Sequence, residues 1–175
     1  MILRATAPAA SSVGEHLAAR VEQVVAARDD RLLVVGEHNP YGSDPEYALY
    51  PSPSYSAGGR LPEILGISGS ELRAAWRVNL CPEGWSAGEA HRRAEMLLGG
   101  PWDRYLLCGS RVRGAFQRAS GLPHDTKSQP TAYRWEHEGK SFLAIPHPSG
   151  RSRRWNEVGV REEVAAAFAA LWVPS

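Results

Sequence analysis

The chain has 175 residues, 43% of them hydrophobic and 22% charged, which is enough for one domain with a substantial core and too few for two, so residues 1–175 are read as a single domain. No apolar run approaches the roughly 20 residues of a membrane span, and residues 1–12 lack the basic head and apolar stretch of a secretory signal, so no membrane partner and a cytoplasmic location are expected. A net charge of +1 excludes the globally basic footprint common in nucleic-acid binders, but Arg104, Arg111, Arg113 and Arg118 crowd one segment and Arg151, Arg153, Arg154 and Arg161 another.

Residues 13–27 place Val13, Leu17, Val21, Val24 and Val25 at helical spacing behind a Ser12 cap, with Glu15 three residues on, and predict a helix. Asp29 and Asp30 turn the chain into Arg31-Leu32-Leu33-Val34-Val35, a short apolar run ending at Gly36 that reads as a buried parallel strand. Residues 37–59 are thick with Pro, Gly, Ser, Asn and Tyr and too long for a plain connector, so they read as a binding loop. Residues 61–65 and 70–75 suggest helical pieces, 77–80 a second strand, and 86–98 a helix capped by Ser86 with Glu89 at the capping-box position. Tyr105-Leu106-Leu107-Cys108 is a third strand ending at Gly109, followed by a helix over 111–118, a fourth strand over 141–145 and an alanine-rich helix over 162–171. Residues 124–138 read as a surface loop or a hairpin.

This alternation predicts an α/β fold, a three-layer α/β/α sandwich around a mainly parallel four-stranded sheet. Ligands in such sheets sit beyond the carboxyl ends of the strands. Cys81 and Cys108 each follow a strand-like run and read as buried reduced thiols; two thiols cannot hold a four-iron cluster. His16, His38, His91, His124, His137 and His147 show no paired ligand spacing, so no metal site and no cofactor are expected.

Two strand-end segments carry the chemistry: Gly36-Glu37-His38-Asn39-Pro40-Tyr41-Gly42 after the first strand and Pro146-His147-Pro148-Ser149-Gly150-Arg151-Ser152 after the fourth. Together with Asn79 at the end of the second strand, they resemble the signature motifs of the uracil-DNA glycosylase superfamily, in the same order along the chain. The resemblance covers most of the chain and implies that family's sandwich, a DNA partner, a monomer, and hydrolysis of the bond between a flipped-out pyrimidine and its deoxyribose, leaving an abasic site.

Breaking that bond leaves positive charge on the sugar and negative charge on the departing base. The resemblance makes His147 the donor that stabilises the base anion and Asn39 the residue that orients the attacking water. The superfamily's most active uracil enzymes have an aspartate where Asn39 stands, and one extra residue separates Gly36 from Asn39, so Glu37 or His38 could share the task; Asp44 is a further carboxylate nearby. Asn79 would read the pyrimidine edge, although its amide matches uracil in one orientation and cytosine in the other. Tyr41 sits where uracil-specific relatives exclude the thymine methyl group, and Tyr50 or Tyr55 is the expected stacking partner. Ser149, Gly150 and Arg151, with Arg153 and Arg154, would grip the DNA backbone, and Trp155 or an arginine would fill the gap left by the flipped nucleotide.

The absent aspartate, the altered spacing and the small residues at Gly42 and Ser56-Ala57-Gly58-Gly59, which suggest a roomy pocket, favour a modified base such as glucosylated hydroxymethylcytosine and a role in defence against phage with altered DNA. Uracil removal in base-excision repair and non-catalytic binding of damaged DNA are the alternatives. Lys127 and Lys140 are the only lysines and neither lies near a motif, which disfavours a Schiff-base lyase step.

Overall fold

The computed structural model describes residues 31–38, 45–123 and 131–172. The helix expected over 13–27 lies outside them, as do Asn39, Tyr41, Gly42 and Asp44. The described elements run β1 (Leu32–Gly36), α1 (Ala57–Leu65), α2 (Gly69–Ala74), β2 (Trp76–Asn79), α3 (Ala87–Leu98), β3 (Arg104–Cys108), α4 (Ser110–Ala119), β4 (Tyr133–His137), β5 (Lys140–Ile145) and α5 (Val160–Ala169), with single 3-10 turns at Pro45–Tyr47 and Arg153–Asn156.

The strands form one sheet in the order β2-β1-β3-β5-β4. The first three pairings are parallel and β4 runs antiparallel to β5, so the sheet is five-stranded and mixed rather than four-stranded. The added strand, Tyr133–His137, lies in the segment whose sequence reads as a surface loop or a hairpin. Tyr133 and Trp135 alternate with Arg134 and Glu136, which suits a strand with one face on the core. His137 pairs with Lys140, and the Glu138–Gly139 link has positive φ at both residues, the geometry of a tight two-residue hairpin. Trp135 stacks on Phe142 with centroids 4.7 Å apart, tying the hairpin to the core.

Every residue of β1 is buried, because helices cover both faces of the sheet. Leu32, Val34, Leu106, Cys108, Leu143 and Ile145 pack on one side against α1, α2 and α5. Leu33, Val35, Tyr105, Leu107, Phe142 and Ala144 pack on the other against α3 and α4. Cys81 and Cys108 are buried free thiols.

Local chemistry sets the helix starts that shape the rim. Ser56 caps α1 by accepting from the Gly59 amide at 2.9 Å, four residues earlier than the apolar pattern alone indicates. Ser68 and Glu71 form a reciprocal capping box on α2. Ser86 caps α3, while the Glu89 carboxylate turns outward to Arg92 and Arg93. Among the described residues no helix is long and apolar enough to cross a membrane.

Candidate active site

The carboxyl ends of β2, β1, β3 and β5 lie side by side and deliver Asn79, Glu37, Gly109 and His147 to one rim. Gly36 and Asn79 are register partners at the end of the β1–β2 pair. Asn79 is only 5% exposed and its Oδ1 is buried with no hydrogen-bond partner among the described residues. A Cβ built on Gly36 would stand 2.2 Å from that oxygen, so the amide occupies the space of the missing side chain. An acceptor held dry and unmatched costs about 1–3 kcal/mol, a cost that a donor from a water or a ligand would relieve.

His147 follows β5 on a loop fixed from both sides. The Trp155 indole N–H donates to the His147 carbonyl at 2.8 Å, and the Ser149 amide donates to His147 Nδ1 at 3.2 Å. With Nδ1 accepting, the neutral ring carries its proton on Nε2 and presents a donor there. Burial pulls the His147 pKa below its usual 6.5; the nearby Glu37 carboxylate opposes this and His38 adds to it. Beneath the ring, Gly109 adopts φ +112°, and a Cβ there would come 3.3 Å from His147 Cδ2. Glycine at the end of β3 therefore serves both backbone conformation and ring approach.

Glu37 points to Arg111 at the start of α4, with 2.7 Å between carboxylate and guanidinium. Arg111 in turn lies 5.7 Å over the ring of Trp85. The carboxylate is mostly buried, with its side chain 14% exposed, while His38 beside it is half-exposed. A cavity of about 160 Å³ opens beside His147, lined also by Gly109, Ser110, Arg113, Ser152 and Arg154. Asn79 does not line it. Asn79 and His147 stand at opposite ends of the rim with the ends of β1 and β3 between them, their backbones about three strand spacings, roughly 14 Å, apart; Asn79 lines a separate cavity with Val78, Arg92, Arg93 and Met96.

The remaining expected residues divide. Ser149 is half-buried and acts through its amide on His147; Gly150, Arg151 and Arg153 are exposed on the same loop and the turn that follows it. Arg154 is partly buried, ion-paired with Glu157 and turned to the cavity. Trp155 is 3% exposed within the core, so it is no wedge: its indole holds the His147 loop instead. Tyr55 is 77% exposed, whereas Tyr50 meets Tyr47 edge-on and has the Arg77 guanidinium 5.7 Å over its ring.

The roomy pocket expected from Ser56-Ala57-Gly58-Gly59 does not form. These residues begin α1, and a Cβ on Gly58 or Gly59 would lie 2.3 Å or 2.1 Å from the backbone of Tyr50, Leu49 or Pro53. Their smallness admits the preceding loop rather than a ligand. The motifs gave no notice of Arg111, Trp85 and Gly109; the strand-ending glycine was the readable signal for the last.

No protein-family model matches the chain, and no curated protein matches it either.

Proposed function

We propose that the chain is a monofunctional DNA glycosylase of the uracil-DNA glycosylase type, acting on a pyrimidine swung out of the duplex. The observation that carries this reading is the His147 ring, whose Nδ1 accepts from the Ser149 amide, which leaves Nε2 to carry the proton as a donor on a residue that lines the cavity. A donor held in advance where the base oxygen gains negative charge stabilises the departing anion without reorganising. The buried, unmatched Oδ1 of Asn79 supplies an acceptor for a base N–H on the same rim.

Glu37 completes the electrostatics. Its carboxylate lies close enough to influence the His147 titration and can offset positive charge building on the sugar. Arg111 orients it through the 2.7 Å ion pair. Asn39 orients the water in this scheme, and the product is an abasic site. No lysine is required, in keeping with simple hydrolysis.

Of the features favouring a modified base, the missing aspartate at position 39 and the extra residue before it stand, while the small-residue stretch contributes no space. The substrate proposed is accordingly a modified pyrimidine such as glucosylated hydroxymethylcytosine, with phage DNA as its source. The test incubates the protein with duplexes containing uracil, hydroxymethyluracil or glucosylated hydroxymethylcytosine and resolves free base by chromatography. Release of a modified base in preference to uracil supports the full reading; preference for uracil moves it to base-excision repair; binding with no release from any duplex leaves a non-catalytic DNA binder.

A further inference from the structure

Arg60 belongs to none of the motifs. Its amide makes the first i to i−4 bond of α1, donating to the Ser56 carbonyl at 3.1 Å, and the glycines before it seat the helix start on the backbone of residues 49–54. From this anchored base the side chain crosses to the loop after β5, 90 residues further along the chain. A Cβ built on Gly150 would stand 3.2 Å from Arg60 Nη1, tighter than ordinary contact, so the guanidinium lies over the one residue of Ser149-Gly150-Arg151 that has no side chain.

Among the described residues no carboxylate pairs with Arg60, Arg151 or Arg153. Arg31, Arg92, Arg93 and Arg161, by contrast, each have one within ion-pair distance. Arg73 and Arg118 are unpaired in the same sense, so the missing carboxylate alone says little; the placement is what distinguishes Arg60. A guanidinium whose Nη1 stands beside an exposed glycine, next to the loop that positions His147, offers N–H donors over bare backbone, the surroundings in which a phosphate can approach.

We propose that Arg60 is a phosphate anchor, gripping the DNA backbone across Gly150 and so fixing the register of the strand relative to His147. The inference deepens the glycosylase reading and rests on its DNA partner, but not on the chemistry at the base. Arg60 acts by positioning. It carries no sequence information, so its loss weakens binding to all sequences alike.

The test measures binding of the full chain to fluorescein-labelled duplexes of two unrelated sequences by anisotropy across a potassium chloride series. Arg60→Ala is expected to flatten the slope of log affinity against log salt by about 0.9, the contribution of one phosphate contact, equally for both sequences. Arg60→Lys, which keeps the charge, is expected to retain the slope, and matching thermal unfolding of the variants excludes a folding defect. Identical slope and affinity for Arg60→Ala and the unaltered protein overturn the anchor; if that protein still releases base, the glycosylase reading survives alone. A flattened slope in a protein that releases no base keeps the anchor and removes the catalysis. Failure of the unaltered protein to bind either duplex overturns both.

Discussion

The side-chain oxygen of Asn79 fills the space that a side chain on Gly36 would need, with only 2.2 Å between Oδ1 and a Cβ built on the glycine. Gly36→Ala therefore overpacks the β1–β2 end, where Leu49 closes the other side at 3.0 Å. Overpacking of this kind costs about 1–3 kcal/mol, and the amide must leave its position to relieve it. Denaturant unfolding is expected to show that loss, and base release is expected to fall with it.

Asn79→Ala separates the two effects. The substitution removes a buried acceptor that costs about 1–3 kcal/mol to leave unmatched, which offsets the packing it gives up, so the unfolding midpoint should change little. Base release should fall by the worth of a hydrogen bond to the pyrimidine edge, on the order of ten- to a hundredfold. Measuring both on one preparation checks the pairing; a large stability loss with unchanged release would make Asn79 a structural residue.

Partial burial disfavours the charged form of His147, so its pKa in the folded chain lies below 6.5. Between that value and 6.5 the unfolded chain binds more protons, and stability contributed by this group is present above 6.5 and lost as pH falls through the folded pKa. Protonation would also place a second N–H on Nδ1, against the Ser149 amide. Titration by nuclear magnetic resonance should give a midpoint below 6.5 with the Nε2–H tautomer above it. Release of base should decline on the acid side of the same midpoint.

Glu37 raises the His147 pKa, opposing the effect of burial. Glu37→Gln should consequently move the His147 midpoint lower still, a shift readable without any substrate. It should also slow base release, because the carboxylate that offsets sugar charge is gone. Arg111→Ala leaves the charge in place and loosens only its orientation, so its effect on release should be the smaller of the two. An unchanged midpoint in Glu37→Gln would separate the carboxylate from the histidine.

The parallel core was legible because β1, β3 and β5 are buried on both faces, and burial on both faces writes itself as an unbroken apolar run. β2 was harder to bound: Trp76 is exposed and Arg77 reaches back to the Ala48 carbonyl, so its signal is mixed. The fifth strand carried its own alternation at Tyr133 and Trp135, but a turn closed by Glu138 and Gly139 departs from the commoner asparagine–glycine pair and conceals the hairpin. Around the site, glycines and prolines at strand ends marked the rim. Contacts made across the fold were invisible, as with Arg111 on Glu37 or Arg60 over Gly150, because their partners stand 74 and 90 residues away. Gly58 and Gly59 misled for a related reason: smallness in a sequence signals close approach without saying whether ligand or backbone approaches.

In the proposed reaction His147 donates a hydrogen bond to the base as it leaves its sugar. This role is tested most directly by exposing end-labelled duplexes, each with one modified or deaminated pyrimidine, to the protein and to His147→Ala, then treating with alkali to break the strand wherever a base is missing. A break is expected at the single altered pyrimidine, with its rate reduced on the order of 10²–10³ in His147→Ala. Intact strands for every duplex, or equal rates for the two proteins, would contradict it.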